Sequence, residues 1–497
     1  MNDSRLPSRL TNPASWLALF GPGAIVASLT IGSGELLFSS RGGALFGYRL
    51  LGLFLVICLL KWALVLTTSR QMILTGAHPF QRWMSCPGPR GWLPIVFLIS
   101  AVALFPVWVG FHAATVGTLL ASLTGTKAAL RESSHFVWGL GTLGATMLLV
   151  WSGSYKRLER IQMFVVFVML GCVLVSLVLL KPNWQEIWTG FWQLGQLDYP
   201  EWITRYPEIS KRPLWVELAT YVGVVGGSGY DYLAYVSFLR DKSWGAADAG
   251  VQSDETMAAV ASDRQHPFRQ WLIAPWIDAS ISFTIVLVFS AVFLACGTIV
   301  LRPKELVPTG QDLLTLQAEF VGAGATALKP FYFAGALLAM LGTLYGTIEV
   351  APTVARELFL ALRGSPPDEA RLHRNVTNYV GLGGAVILMA SLITFLFSGN
   401  DKPPGLVAIL TPANLFTGVL ACGIIAWTSL WIDRRWLPSA VRMPWFLWLI
   451  NVVGGLLFIG LGLKAYWDNG GILSILMLAG TILAGVVAAR LQIAVKR

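Results

Sequence analysis

Charge is scarce in this chain. Of its 497 residues only 12% are Asp, Glu, Lys or Arg, against about 25% in an ordinary soluble domain. The five cysteines (Cys58, Cys86, Cys172, Cys296 and Cys422) are scattered, with no CxxC spacing and no Cys/His cluster. That pattern supports neither a disulfide framework nor a zinc site. No HExxH, GxSxG or P-loop stands in a suitable context, so an enzyme is not indicated. No catalytic residue, no bound metal and no cofactor are expected. Residues 1–14 lack the apolar stretch of a cleaved signal peptide.

Apolar length is abundant. Hydrophobic residues make up 55% of the chain, with a mean hydropathy of +0.65. About twelve apolar runs are long enough to cross a bilayer as a helix, which takes roughly 20 residues. The reading is an all-α, multi-pass membrane protein. Glycine and proline are frequent, as they are in membrane helices. The net charge of +10 does not imply a nucleic-acid partner, because the basic residues are biased to one side of the spans. That bias places both termini in the cytoplasm under the positive-inside rule. A cell (inner or plasma) membrane and a lipid-bilayer environment follow, and a monomer is favoured.

Two spans are interrupted in matching places. The first runs through "IGSGELLFSS", where Gly32, Ser33 and Gly34 precede Glu35. The sixth reads "VGVVGGSGYDYLAY", where Gly226, Gly227, Ser228 and Gly229 precede Asp231. An interior glycine weakens a helix by roughly 1 kcal/mol, and an acid at membrane depth is expensive unless it faces protein or water. Paired, glycine-interrupted helices in corresponding positions point to a transporter built from two inverted repeats, with its site at the breaks. Repeat one is placed at about 15–180, repeat two at about 214–431 and two extra helices at about 443–492, all in one transmembrane domain spanning 1–497.

These residues resemble the Nramp divalent-metal transporter family. "GPGAIVAS" followed by "GALFGY" is similar to the family's first helix and its exit. "IDASISFTIVLVFSAVFLACG" with Asp278 is similar to its seventh helix, and "ALLAMLGTLYGTIEVAPTVARELF" to its eighth. The resemblance implies a LeuT-type fold: two inverted five-helix repeats plus two C-terminal helices, with helices one and six broken. The departures fall on the site. The family's Asp-Pro-Gly-Asn motif lands on Gly32, Ser33, Gly34 and Glu35. Its metal-binding methionine lands at or beside Ser228, its Pro-His pair on Gly229 and Tyr230, and its second histidine on Tyr235. The third span holds no acid, where the family has acids in its proton route. A hydroxyl does not replace a soft thioether in selecting Mn or Fe, whereas Mg²⁺ keeps several waters and accepts one or two carboxylates.

The expectation is therefore a secondary active importer of a small polar solute, coupled to protons. A monosaccharide such as glucose is the leading solute, since carboxylates, hydroxyls and nearby aromatic faces suit a polyol. The alternative is proton-coupled transport of a divalent metal ion, Mg or Mn. Expected around the solute are Gly32, Ser33, Glu35, Gly227, Ser228, Tyr230, Asp231 and Asn414. Expected in proton coupling are Glu35, Asp231 and His112. Lys61, inside the second span, is read as snorkelling to the interface, with pairing to an acid as the alternative. Asp278 is read as a structural hydrogen-bonding residue. Glu349 is read either as facing the cavity or as solvated near the cytoplasmic end.

Overall fold

A computed structural model describes residues 19–126, 133–152, 181–308, 326–365, 368–397 and 406–495, with isolated positions elsewhere. Most of the described residues are helical, with no strand among them. The helices that matter here are α1 (Pro22–Thr30), α2 (Leu36–Phe46), α3 (Leu50–Thr75), α4 (Trp92–Leu123), α5 (Ser134–Ser152), α6 (Leu214–Val224) and α7 (Gly229–Asp241). They are followed by α8 (Ile273–Cys296), α9 (Lys329–Arg363), α10 (Glu369–Phe397), α11 (Leu406–Asn414), α12 (Ala421–Trp436) and α13 (Trp445–Val495).

Among the described residues, eight helical stretches are long and apolar enough to cross a membrane by themselves. The first and sixth spans are each split into two halves too short to count alone. The fifth expected span lies almost wholly outside the described residues. α13 leaves helical geometry at Gly470 and Gly471 and is long enough for two spans. The fold is thus the LeuT-type arrangement, with α1/α2 as the broken first helix and α6/α7 as the broken sixth. α4 packs against α5, α9, α10 and α13, while α8 lies along α1, α2 and α3. α10 and α13 turn rows of large apolar side chains outward, among them Leu382, Val386, Leu396, Leu456 and Leu473. In a bilayer those faces meet acyl chains rather than water.

The two breaks differ in depth. Between α1 and α2 the backbone makes one π-type turn over Ile31–Glu35, and Gly32 alone leaves helical geometry, with φ −63° and ψ −111°. A Cβ at Gly32 would run into Thr343 of α9, so this position needs a glycine for close approach. Between α6 and α7 the helix is fully unwound. Val225 and Ser228 are extended, and Gly226 and Gly227 take φ of +81° and +96°. Such left-handed backbone costs an L-residue roughly 1–2 kcal/mol.

Gly226→Ala is therefore expected to lower thermal stability more than Gly364→Ala. Both glycines have positive φ, but a Cβ at Gly364 meets open space whereas one at Gly226 presses on Phe283 and the Lys61 side chain. Thermal unfolding of the two purified variants in detergent measures the difference. Equal losses would mean that the packing around the second break contributes nothing.

Candidate functional site

The breaks border a small cavity of about 60 Å³. A water molecule needs roughly 10–15 Å³ of such space, so there is room for a few waters or for one partly hydrated ion. Thr30 and Gly34 line it from the first break, and Gly227, Ser228, Tyr230 and Asp231 from the second. Trp108 and His112 of α4, Thr347 of α9 and Thr417 close it.

The hydroxyls around this cavity are directed by the helices that carry them. Thr30 Oγ1 donates to the Val26 carbonyl at 2.7 Å, Thr347 Oγ1 to Thr343 at 2.8 Å and Thr417 Oγ1 to Ala413 at 2.9 Å. With its hydrogen used on the preceding turn, a threonine can make a further bond only as an acceptor. Asp231 is the one carboxylate among the described lining residues. Its Oδ2 accepts the Ser228 N–H at 2.7 Å, which fixes the start of α7 and leaves further carboxylate lone pairs available. The cavity therefore offers mainly oxygen acceptors. Trp108 donates its indole N–H to Thr417 Oγ1 at 3.2 Å and stacks on His112 with ring centroids 5.4 Å apart.

Behind the second break lies a different polar cluster. Glu35 is completely buried and is not among the cavity-lining residues. Its Oε2 accepts from Ser39 Oγ at 2.8 Å and from Ser290 Oγ of α8, and its Oε1 accepts the Gly226 N–H at 3.2 Å. Glu35 thus joins α2, α8 and the unwound segment. Lys61 does not snorkel. Its side chain is fully buried, and its ammonium donates to the carbonyls of Gly223, Val225 and Gly227 at 3.3, 2.7 and 2.6 Å. Burial at this depth is tolerated because those freed carbonyls need donors. Tyr232 Oη supplies the remainder, donating to Gly226 at 2.7 Å and to Gly227 at 3.1 Å.

Other expected residues sit apart from the cavity. Asn414 is buried and donates its amide to the Thr220 carbonyl at 3.1 Å, tying α11 to α6 beside Gly223. Gly32 is packed on α9. The Ser33 side chain lies outside the described residues. Glu349 accepts from Tyr345 Oη at 3.1 Å and is bonded to His373 at 2.9 Å, away from the cavity lining. Asp278 accepts the N–H groups of Gly21 and Gly23 at 2.9 and 2.7 Å and Tyr235 Oη at 2.7 Å. It caps α1 from α8 and holds α7 to both.

One cluster was not anticipated. Arg41 of α2 donates Nε to Glu217 Oε1 of α6 at 2.7 Å and Nη1 to the Pro308 carbonyl at 2.9 Å. Arg212 lies 3.3 Å from Glu217 Oε2, and Tyr221 Oη donates to Oε1 at 2.7 Å. The available signal was an arginine just after one break and a glutamate just before the other, both in otherwise apolar helices. Among the described residues no group of three His, Cys, Asp or Glu side chains is arranged to hold a metal ion.

Paired broken helices around a cavity define a membrane-transporter architecture, and the comparisons identify which one. The family described as natural resistance-associated macrophage protein-like matches residues 23–468. The chain belongs to the Nramp family. A divalent metal cation transporter MntH from Brucella suis is 22% identical over 461 residues, covering 91% of this chain and 88% of the relative. Another from Latilactobacillus sakei is 24% identical over 473 residues, covering 90% and 89%. Crystal structures of the Eremococcus coleocola manganese transporter superpose with a TM-score of 0.68 at 16% identity, covering 99% of this chain and 97% of that one. MhsT, solved in complex with L-phenylalanine, superposes at 0.54 with 15% identity, covering 94% and 99%.

The comparisons overturn the monosaccharide reading. The similar proteins are named for divalent metal cations and the similar structure for manganese. The geometry explains the miscount. Tyr232 and Tyr235 use their hydroxyls inside the protein, and Tyr230 donates to the Phe97 carbonyl at 2.7 Å. The tyrosine rings expected to offer faces to a polyol are thus packed inside the protein, and of the three only Tyr230 borders the cavity.

The Glu217 cluster gives a graded prediction. Glu217→Gln removes the counter-charge from the buried Arg41 and the partly buried Arg212, and breaking a buried pair costs roughly 3–5 kcal/mol. Glu305→Gln breaks the more exposed pair with Arg205 and should cost at most about 1 kcal/mol. Thermal unfolding in detergent should show a large loss for the first and little for the second.

Proposed function

We propose that this protein is a proton-coupled importer of a divalent cation, Mg²⁺ or Mn²⁺, carried with part of its hydration shell. The observation that carries the reading is the acceptor-rich cavity. Asp231 supplies charge, the Thr30, Thr347 and Thr417 hydroxyls can only accept, and the space suits an ion with a few waters. Mg²⁺ characteristically keeps several waters and binds through one or two carboxylates. The names of the relatives support the same class of cargo. A fully dehydrated soft metal is poorly served, because no thioether or cysteine is among the described lining residues.

In this reading Asp231 meets the cation and Ser228 holds Asp231 in place. Glu35 carries the coupled proton. It bonds at once to α2, α8 and the second break, so a change in its protonation alters the contacts between elements that rearrange during alternating access. His112, in the cavity wall beside Trp108, is the next titratable group on the route. Both termini lie in the cytoplasm, and the membrane is the plasma membrane.

Vesicles reconstituted with the protein, with a cation indicator and a pH dye inside, test this. Saturable entry of Mg²⁺ or Mn²⁺ accompanied by acidification is expected. Asp231→Asn should weaken cation uptake about tenfold to a hundredfold, the loss of one charge-assisted contact of roughly 1.5–3 kcal/mol. Glu35→Gln should preserve cation binding while abolishing the acidification. Acidification of wild-type size in Glu35→Gln would place coupling elsewhere, and absence of uptake for both cations would refute the cargo.

A further inference from the structure

A helix that unwinds inside a membrane leaves carbonyls that something must satisfy. Here the carbonyls of Gly223, Val225 and Gly227 converge on one point, 2.6 to 3.3 Å from the Lys61 nitrogen. The positive φ values of Gly226 and Gly227 shape this convergence. Gly223 lies in the last turn of α6, where the helix dipole adds partial negative charge. Among the described residues no carboxylate is within ion-pairing distance of Lys61. The ammonium is held by neutral carbonyl oxygens, while Glu35 and Asp231 exert their charge from farther off.

Converging backbone carbonyls are how proteins replace the hydration shell of a monovalent cation. The distances fit an ammonium-sized ion and are too long for Mg²⁺, which demands about 2.0–2.1 Å. We propose that the carbonyl cradle of the second break is a monovalent-cation site, suited to ions of ammonium or potassium size, which Lys61 keeps permanently filled with its own charge. The tethered ammonium takes the place of a free ion, and the carrier consequently needs none. Lys61 approaches from α3, behind the break, and is not itself among the described lining residues, whereas Gly223 and Gly227 border both the cradle and the cavity that holds Asp231.

Removing the side chain should reopen the site. Lys61→Ala leaves both the cradle and the channel of the missing chain, whereas Lys61→Met removes the charge but keeps the channel filled. The purified variants are unfolded thermally in detergent at constant ionic strength, with choline chloride exchanged for potassium, ammonium or n-propylammonium chloride. Lys61→Ala is expected to lose on the order of 5 °C in Tm, recovered saturably at millimolar n-propylammonium or potassium. Lys61→Met should lose a similar amount without recovery by n-propylammonium, and wild type should respond to none of the salts. If Lys61→Ala can be extracted folded only in the presence of one of these cations, the proposal is likewise supported. No response of Lys61→Ala to any cation, failure of every salt to recover folded protein, or an equal response in wild type would overturn it. These outcomes are read from stability, so they stand apart from whether divalent cations are transported.

Discussion

The bilayer's refusal of unpaired backbone groups governs this structure. Once residues 225–228 leave the helix, every freed polar group must find a partner inside the protein. The partners come from three directions: the Lys61 ammonium from α3, the Tyr232 hydroxyl from α7 and the Glu35 carboxylate from the first break. They satisfy the break from behind and leave the Asp231 side facing the cavity. What the cavity presents to a solute is therefore what this internal accounting leaves over, namely one carboxylate and a set of hydroxyl acceptors.

Two further clusters bind the halves of the broken helices to the frame. At one end Glu217 gathers Arg41, Arg212 and Tyr221, so α2 and α6 are held together by a buried ionic network. At the other, Asp278 of α8 caps α1 and receives Tyr235 of α7. The same helix halves that border the cavity are thus the ones clamped at each end. Alternating access in this architecture is largely a rigid-body rocking of one repeat or bundle against the other around the site. The charge complement of the network explains why arginine and glutamate persist in helices that are otherwise apolar, since a buried charge is stable only with its partner present.

Much of this was legible in the sequence. The glycine-rich interruptions, each followed by an acid, marked both breaks, and Asp278 was placed correctly as a structural hydrogen-bonding residue. Three-dimensional commitment of polar groups was not legible. Lys61 looked like a snorkelling residue because its partners are carbonyls more than 160 positions away, which no local pattern reveals. Asn414 looked like a solute contact but ties α11 to α6. The tyrosines suggested a polyol site as aromatic faces near the solute, but Tyr232 and Tyr235 are buried in the protein. A stricter reading was open for the threonines, since a threonine inside a helix commonly donates to the carbonyl four residues back. Thr30, Thr347 and Thr417 all do so, and that habit alone would have shifted the expectation from a polyol toward a cation.

Titration calorimetry of the purified protein with Mg²⁺ and Mn²⁺ tests the central claim most directly, because it reads the cavity without the complications of turnover. The account predicts saturable binding of at least one of the two cations, lost or strongly weakened in Asp231→Asn and retained in Glu35→Gln. Binding unchanged in Asp231→Asn, or no binding of either cation, would contradict the assignment of this cavity as the cation site.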